Sequence, residues 1–555
     1  MVTDAFIKAK KYYEKHGLVE TIKRVFYEFK KCGAYNMSVP VDWMQVTEIK
    51  ILTTKHCLYV AELIKTNLER IGVEGKIEER ISDNENSLYI VICPQMFARL
   101  PKRYIAFQME QTVSSRWLTR KYLRILNNAI AVWDYSLCNI AYWQKDNKIS
   151  TGKLFYMPIN YNKSINPVVD HQCYDVLFYG DVNNERRKRY LEAIGKEFRV
   201  KIVNNIFGDE LKGILAETKV LVNIHYYQNA LLETTRIYEA MSYGNCVIVS
   251  EESFDNESEL ELRNIVDFVP QNNVEIMMDR IRYWLNHEEE REDKVANNKA
   301  LLDNVVTSFE FYFFRFFLAM GMISFETFYN LANSFIEIGD KAICLSLKES
   351  LSRRESFEEE KKIDVQYFPG LRHSMGWIGC GLSYKFLFKK AMEKGIARLI
   401  ICEDDTEFPD DFNERFNCID NYLAIHEGEW DVFSGLMSDI GDVKISKVDK
   451  YGSEIFVYMD KMISMVFNVY SSTFFIKAVE WDETCLDIEK NTIDRYLESN
   501  TLKVITTSKF LVNHKEELTS TIWGAENSIY NKSIKDSRTR LLKKLYEFEN
   551  ECDYK

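Results

Sequence analysis

The stretch KVLVNIHYYQNALLETTRIYEAMSYGNCVIVSE, residues 219–251, sets the fold class of this chain. A β-branched apolar run (219–227) is followed by a helical run that ends at Gly244, and then by a second β-branched run (246–251). Short strands that alternate with helices are typical of a parallel sheet covered by helices. The stretch therefore predicts a Rossmann-like α/β unit.

The same alternation continues on both sides of this stretch. Runs such as TEIKILTTK, SLYIVICPQ and YIAFQME predict an earlier parallel sheet, and the pattern restarts at Lys341 with KAICLSLKES and ARLIICEDD. The chain has 555 residues, which corresponds to roughly three to four domain-sized units. The predicted organisation is a basic helical N-terminus (1–44), two Rossmann-like halves (45–165 and 166–310), a helical connector (311–340), a third α/β domain (341–530) and a charged helical tail (531–555).

Composition narrows the function classes. The formal net charge of -12 disfavours a general nucleic-acid binder, because such proteins carry a basic footprint. No two of the 12 cysteines form a CxxC pair, and several lie inside apolar runs: Cys93, Cys246, Cys344 and Cys402. Free buried thiols in a reducing compartment explain this placement better than disulfides or a zinc site.

The N-terminal segment and the apolar segments bear on localisation. We find no signal-peptide pattern, and the longest apolar stretch (311–325) is interrupted by Arg315 and is too short to span a bilayer. The first 32 residues carry eight Lys or Arg against four Asp or Glu, at helical apolar spacing. This segment predicts a helix packed on the first domain, or one lying on an anionic membrane surface. We expect a cytoplasmic protein, with peripheral contact at the inner membrane surface as the alternative.

A first candidate site lies at the carboxyl ends of the strands in 166–310, where helix N-termini present free N–H groups. Gly180 follows a strand and lets backbone approach a phosphate, and Arg186 lies on the next helix with Arg187 beside it. Glu233, Arg236 and Glu239 recur at spacings of three and share a helix face. This row predicts a nucleotide site in which an arginine binds a diphosphate and a glutamate accepts hydrogen bonds from the ribose hydroxyls. The alternative is a solvated, ion-paired helix face.

The segment ETTRIYEAMSYGNCVIVSE resembles the C-terminal signature of glycosyltransferases of the GT-B fold, and the likeness covers roughly 45–310. In that family a glutamate ahead of a small-residue helix binds the nucleotide ribose, and Glu239 matches it. The family pattern has a further glutamate eight residues earlier, where this chain has Leu231. The resemblance implies a nucleotide-sugar donor and no metal cofactor for this half.

A second candidate site follows the apolar strand ARLIICEDD. Glu403, Asp404 and Asp405 are consecutive, and clustered carboxylates repel one another unless a cation or strong donors compensate. Mn²⁺ or Mg²⁺ is the natural partner, because hard cations take carboxylate oxygens and bridge nucleotide diphosphates. The alternative is a surface turn with an aspartate at the N-cap of the following helix.

Five ordered segments (LSLKESLSRRESF, GWIGCGLSYKFLFKKAMEKG, LIICEDDTEF, NTIDRYL and TSKFLVNHKEELTSTIWG) resemble glycosyltransferase family 25, known from lipopolysaccharide biosynthesis and collagen galactosylation. The resemblance implies a GT-A-like fold, a divalent metal, and UDP-galactose or UDP-glucose as donor. It assigns Glu403, Asp405 and His514 to the metal, and Arg353, Arg354, Ser383 and Asp404 to the nucleotide sugar. Tyr384 replaces a family histidine. Asp494, Asp439 and Glu516 remain three alternative catalytic bases, because an inverting transfer needs a carboxylate to deprotonate the acceptor.

Together the two sites predict a bifunctional glycosyltransferase that acts on a glycan acceptor, lipid- or protein-linked. Two alternatives stay open. In one, only the GT-A-like domain is active and the GT-B half binds the acceptor, which the leucine at position 231 favours. In the other, the acidic module is a metal-dependent nucleotidyltransferase or phosphohydrolase.

Overall fold

The computed structural model describes residues 41–82, 87–113, 115–162, 165, 171–254, 261–302 and 308–553. The helix predicted for 1–44 therefore lies almost wholly outside the described residues. The chain divides into two compact units, with the sequence boundary between Phe314 and Arg315. That boundary falls inside the predicted connector 311–340.

The first unit begins with a six-stranded sheet in the order β2-β1-β3-β4-β5-β6, in which all neighbouring strands are parallel. Its third and fourth strands, LYIVI and YIAFQ, are buried along their whole length, as expected where helices cover both faces of a sheet. The strands are β1 (Glu48–Leu52), β2 (Glu74–Glu78), β3 (Leu88–Ile92), β4 (Tyr104–Gln108), β5 (Val132–Asp134) and β6 (Leu154–Tyr156). The helices are α1 (Leu58–Arg70), α2 (Arg120–Asn128) and α3 (Leu137–Gln144).

A second all-parallel sheet of five strands, in the order β11-β10-β9-β7-β8, completes the first unit. The strands are β7 (Tyr174–Tyr179), β8 (Val200–Val203), β9 (Thr218–Asn223), β10 (Val247–Glu251) and β11 (Asp267–Val269). The helices are α4 (Glu185–Glu197), α5 (Asp209–Ala216), α6 (Thr234–Tyr243), α7 (Val274–Asn286), α8 (Glu288–Leu302) and α9 (Phe309–Ala319), the last of which crosses the unit boundary. The predicted α/β fold with two successive Rossmann-like halves is confirmed.

The second unit is built on a mixed eight-stranded sheet in the order β13-β12-β14-β19-β16-β20-β18-β17. Its strands are β12 (Ala342–Ser346), β13 (Val365–Pro369), β14 (Arg398–Glu403), β16 (Val432–Ser434), β17 (Ile445–Tyr451), β18 (Glu454–Met459), β19 (Phe467–Ser471) and β20 (Val504–Thr507). A separate two-stranded sheet is formed by β15 (Thr406–Glu407) and β21 (Asn513–His514). Strand β14 pairs with β12 in parallel and with β19 antiparallel, so the acidic segment follows a central strand. The GT-A-like assignment of this unit stays a prediction.

Helices flank this sheet and extend to the end of the described chain. They are α10 (Phe325–Ala332), α11 (Leu351–Glu360), α12 (Gly376–Glu393), α13 (Phe412–Ile425), α14 (Ser472–Val479), α15 (Ile488–Asn491), α16 (Ile493–Ser499) and α17 (Asn531–Asp553). Helix α17 lies within the range predicted for the charged tail (531–555). Helix α12 approaches its neighbour closely at Gly381, where a Cβ would lie 2.4 Å from the Trp481 ring.

The charge that interrupts the apolar run 311–325 is buried and paired. Arg315 is 1% exposed, and its two terminal nitrogens donate to the Glu349 carboxylate at 3.0 and 2.9 Å. Its Nε donates to the carbonyl oxygen of Gly370 at 2.8 Å. A buried charge with these partners is tolerated inside an aromatic helix, because its donors are satisfied. Among the helices of the described residues, none combines the length and the apolarity that crossing a membrane requires.

Candidate functional sites

Gly180, directly after β7, shapes the first candidate site. Its φ of +136° lies in the region that favours glycine. A Cβ at this position would lie 3.0 Å from Nη2 of Arg236 and 3.5 Å from Nη1 of Arg187. Two guanidinium groups therefore converge on one stretch of bare backbone at the carboxyl end of a central strand.

The two arginines are held by different elements. Arg187, at the start of α4, donates from Nε to the Ile224 carbonyl at 2.9 Å and from Nη1 to the Asp181 carbonyl at 3.0 Å. Burial, together with repulsion from Arg236, lowers the pKa of Arg187 to about 10, which leaves it charged at neutral pH. Arg236, on α6, donates from Nη1 to Oδ1 of Asn223 at 2.6 Å. Two neighbouring cations at strand ends form a site suited to an anion.

The two glutamates of the predicted row differ in what they contact. Glu239, on α6, accepts a hydrogen bond from the Tyr179 hydroxyl at 3.1 Å, and burial raises the pKa of its carboxyl to about 7. Glu233 precedes α6, and its Oε2 lies 2.5 Å from Nδ1 of His225. Although burial alone would raise the pKa of Glu233, the His225 and Arg236 charges hold it well below its usual range. Glu233 thus serves to fix its neighbours, and Glu239 is the acid suited to a ligand hydroxyl.

Arg186, the predicted diphosphate contact, is engaged elsewhere. Its guanidinium forms a bidentate pair with Glu251, with 2.6 Å between Nη1 and Oε2, and it donates to the His225 carbonyl at 2.8 Å. Arg187 takes the position beside Gly180 instead. The phase of α4 explains this: residue 187 is three before Tyr190 and seven before Ile194, which line the buried helix face.

Position 231, where the GT-B resemblance expects a glutamate, is buried and apolar. Leu231 is 2% exposed, and its backbone N–H donates to Oε1 of Gln111 at 2.8 Å. Gln111 belongs to the first Rossmann-like half of the unit. The leucine therefore contributes to contact between the two halves of the unit and brings no carboxylate there.

The second candidate site lies at the end of β14 and is not turned to bulk water. Asp404 and Asp405 are 4% and 9% exposed. Arg353, on α11, donates to Oδ1 of Asp404 from Nε at 2.8 Å and from Nη2 at 2.5 Å, and its Nη2 lies 3.0 Å from Oδ2 of Asp405. Ser346 donates to Oδ2 of Asp404 at 2.7 Å. The acidic pair is therefore stabilised by a buried arginine.

One buried carboxylate oxygen of this cluster has no hydrogen-bond partner among the described residues. Oδ2 of Asp405 accepts from Nδ2 of Asn527 at 2.8 Å, whereas Oδ1 of Asp405 is buried and has no hydrogen-bond partner among the described residues. Burial, followed by the charges of Asp405 and Asp404, raises the pKa of Glu403 to about 8. These two groups fit a hard cation. Such a cation would coordinate Oδ1 of Asp405 and would lower the pKa of the Glu403 carboxyl.

The other predicted metal ligand, His514, contacts the backbone of Asn527. Strand β21 pairs with β15, and Nε2 of His514 lies 3.0 Å from the Asn527 carbonyl oxygen, within hydrogen-bonding distance. Within the described ranges, Glu403, Asp405 and His514 do not bring ligand atoms within 4.8 Å of one another as a group of three. A cation held there would need further oxygens from a bound diphosphate.

Of the three alternative bases, Asp494 lies near the acidic cluster. Its charge contributes to the raised pKa of Glu403 and of Cys380. Asp439 lies 3.4 Å from Nη1 of Arg540, and Glu516 is exposed and accepts from Asn531. The electrostatic influence on Glu403 favours Asp494 among the three, and the catalytic base stays a prediction.

The remaining predicted nucleotide contacts are engaged in packing. Arg354 stacks over the Tyr367 ring at 4.1 Å. The Ser383 hydroxyl accepts from the Leu371 N–H at 2.8 Å and donates to the Gly379 carbonyl at 2.7 Å, so it fixes the turn before α12.

Sequence reasoning missed Asn527, whose side chain holds Asp405. The two residues are 122 positions apart, and no local pattern connects them. Tyr384, noted in the sequence as a replacement for a family histidine, donates to the Met465 carbonyl at 3.0 Å and lies 3.5 Å from Glu403. It therefore forms part of the wall beside the acidic cluster.

Each unit of the chain matches a glycosyltransferase family. Residues 165–305 match a family described as glycosyl transferase-like, and residues 369–453 match glycosyltransferase family 25 (LPS biosynthesis protein). The tandem resemblance predicted from the sequence is confirmed. Each unit thus contains a segment similar to a glycosyltransferase family, and the two families differ.

The similar curated proteins are matched over short segments. An uncharacterized protein of Acanthamoeba polyphaga mimivirus is 27% identical over 199 residues, which cover 34% of this chain and 22% of the relative. Inactive glycosyltransferase 25 family member 3 of Mus musculus is 29% identical over 79 residues, 13% of each protein. The chain thus spans less than a third of the length of these relatives.

Two similar solved structures each cover about half of this chain. Sucrose-phosphate synthase from Thermosynechococcus elongatus is 13% identical, covers 50% of this chain and 97% of that chain, and has a TM-score of 0.35. The Anabaena protein HepE, in complex with UDP and glucose, is 10% identical, covers 50% of this chain and 100% of that chain, and has a TM-score of 0.36.

Proposed function

We propose that this chain is a bifunctional glycosyltransferase that takes two nucleotide-sugar donors at two separate sites and adds both sugars to a glycan acceptor. The observation that carries the first site is the convergence of Arg187 and Arg236 on the bare backbone of Gly180. The proposed acceptor is a lipid- or protein-linked glycan.

In the first unit, the two guanidinium groups would bind the donor diphosphate through charge-assisted hydrogen bonds. Their charge would also stabilise the leaving nucleotide diphosphate as the bond to the sugar breaks, so no metal is needed there. Glu239, one helical turn along α6 from Arg236, would accept hydrogen bonds from the ribose hydroxyls. Because the pKa of Glu239 is about 7, its accepting form is populated at neutral and alkaline pH.

In the second unit, Asp405 and Glu403 would hold Mn²⁺ or Mg²⁺ together with the diphosphate of a UDP-hexose, UDP-galactose or UDP-glucose. A bound divalent cation would act there as a Lewis acid on the departing diphosphate. Asp494 is the candidate base, a choice supported by the effect of its charge on Glu403. Arg353 donates from Nε and Nη2 to Oδ1 of Asp404 and would thereby keep that oxygen from serving as a metal ligand.

A second candidate function is a single-site enzyme in which the first unit is active and the family 25 unit binds glycan without catalysis. One observation favours it: Arg353 already contacts both Asp404 and Asp405, so it supplies the positive charge that a metal would otherwise bring. The matched mouse relative is named as an inactive member of the family, which agrees with this alternative.

The experiment is a nucleotide-sugar panel with and without Mn²⁺ on wild type, Glu239→Ala and Asp405→Ala. Glu210→Ala and Asp410→Ala serve as matched controls, because both are exposed acids in the same units. We expect Glu239→Ala to abolish one transfer and Asp405→Ala to abolish only the metal-dependent one. Loss of both transfers in either variant would contradict two sites, and absence of any Asp405-sensitive transfer would establish the single-site alternative.

A further inference from the structure

Two cysteines meet at the carboxyl edge of the first sheet. Cys57 lies at the start of α1, shortly after β1, and Cys93 directly follows β3. Strands β1 and β3 are adjacent and parallel, with Ile51 opposite Ile90, so the residues that follow them emerge at one edge. The two sulfurs lie 3.7 Å apart, although the residues are 36 positions apart in sequence.

A histidine completes the cluster. A ring nitrogen of His56 and the sulfurs of Cys57 and Cys93 all lie within 4.8 Å of one another. The Thr54 hydroxyl lies 2.8 Å from Nδ1 of His56 and 3.5 Å from Nε2, so its shorter contact is to Nδ1. A metal-binding histidine commonly has its second nitrogen fixed by such a partner, because this sets the tautomer and the ring orientation.

The sulfur separation fits a zinc ion better than a disulfide. A tetrahedral zinc ion about 2.3 Å from two thiolates places their sulfurs about 3.8 Å apart. A disulfide needs about 2.05 Å. Thiolate and imidazole are ligands that select Zn²⁺ over the Mn²⁺ or Mg²⁺ preferred by carboxylates.

Burial is asymmetric around the cluster. Cys57 and Cys93 are each 5% exposed, whereas His56 is exposed, so the cluster is closed on the sulfur side and open on the histidine side. Three protein ligands with an open fourth position are typical of zinc sites that bind water or a substrate oxygen.

We propose that His56, Cys57 and Cys93 bind Zn²⁺ with the fourth coordination position on the exposed, histidine side of the cluster. For Cys93 this replaces the free buried thiol expected from the sequence. This site is separate from the acidic cluster at 403–405, and it depends neither on the number of transfer reactions nor on the identity of the donor.

The test uses Co²⁺ as a spectroscopic probe of the full-length protein, after treatment with a chelator under reducing conditions. We expect thiolate-to-cobalt charge-transfer absorption and intense tetrahedral ligand-field bands that saturate near about one equivalent and disappear when Zn²⁺ is added. Cys93→Ser should remove the charge-transfer contribution of one thiolate. Thr54→Val should weaken Co²⁺ binding about 10- to 100-fold, and His56→Ala at least as much. Cys173→Ser, at an exposed cysteine of the same unit, should leave the spectrum unchanged.

Three results would overturn the proposal. The first is a lack of charge-transfer absorption in the reduced wild type. The second is unchanged Co²⁺ affinity in both His56→Ala and Thr54→Val, which would indicate adventitious binding to thiols alone. The third is peptide mapping that finds Cys57 and Cys93 joined as a disulfide in protein purified without reductant. Because His56 and Thr54 are not core residues, these two variants decide the question even if Cys93→Ser fails to fold.

Discussion

Replacing Arg353 by methionine tests how the acidic cluster is stabilised. The substitution keeps much of the side-chain volume and removes the contacts to Oδ1 of Asp404, to Oδ2 of Asp405 and to the Thr519 carbonyl, which Nη1 reaches at 2.8 Å. Asp404 then keeps Ser346, and Asp405 keeps Asn527. The two buried carboxylates thus lose the positive charge of the Arg353 guanidinium.

Removing one partner of a buried ion pair costs about 3–5 kcal/mol, because the remaining charge is buried without compensation. For a unit of this size each kcal/mol lowers the melting temperature by about 2–4 °C, so the expected decrease is about 6–20 °C. The assay is differential scanning calorimetry of the full chain, following the transition of the unit that begins at Arg315. Two units are present, so the two transitions are fitted separately.

Arg354→Met is the matched control, since it removes the neighbouring arginine on the same helix. That side chain stacks on Tyr367, and losing such a contact costs about 0.5–2 kcal/mol. Mn²⁺ should restore part of the stability of Arg353→Met, because the cation replaces the lost charge. Equal shifts for both variants, or an unchanged transition in Arg353→Met, would refute the assignment of Arg353 as the counter-charge of the cluster.

Three more predictions concern protonation and packing. Because the pKa of Glu239 is about 7, its ionised fraction rises from about a tenth at pH 6 to about nine-tenths at pH 8. UDP affinity measured by calorimetry should therefore rise up to about tenfold over this range in wild type and stay flat in Glu239→Gln; a flat wild-type profile would contradict the ribose role. The raised pKa of Glu403, about 8, means that its contribution to stability is complete below its usual pKa and is lost as pH rises through 8. The unfolding free energy of Glu403→Gln, from urea denaturation, should fall less than that of wild type between pH 5 and 8; identical slopes would exclude this group as the source. Gly381→Ala should cost about 1–3 kcal/mol in the same assay, because its Cβ would meet the Trp481 ring, whereas Gly213→Ala, in a helix with open space around it, should not destabilise; equal effects would contradict the close packing.

Several features of the site followed from the sequence because they are local. Two local patterns identify the carboxyl edge of a sheet without knowledge of the tertiary structure. One is a glycine at the end of a strand, and the other is a group of carboxylates immediately after an apolar strand. Gly180, Glu239 and the segment 403–405 were therefore predicted at positions where the structure shows converging charges. Arg186 and Arg187 could not be told apart in this way, since neighbouring residues on a helix point about 100° apart and the choice depends on the helix phase.

The alternation of β-branched and helical runs determined the two Rossmann-like halves and the restart of the pattern near Lys341, because side-chain period and apolar burial act within each element. Only the tertiary structure decided which groups face one another across long separations: Asn527 on Asp405, Glu349 on Arg315, and Cys57 beside Cys93. Such contacts depend on strand order and on the packing of helices between strands, and neither leaves a periodic signal in the chain. The cysteines illustrate this, because their spacing excludes a CxxC pair while the adjacency of β1 and β3 brings two of them within 3.7 Å.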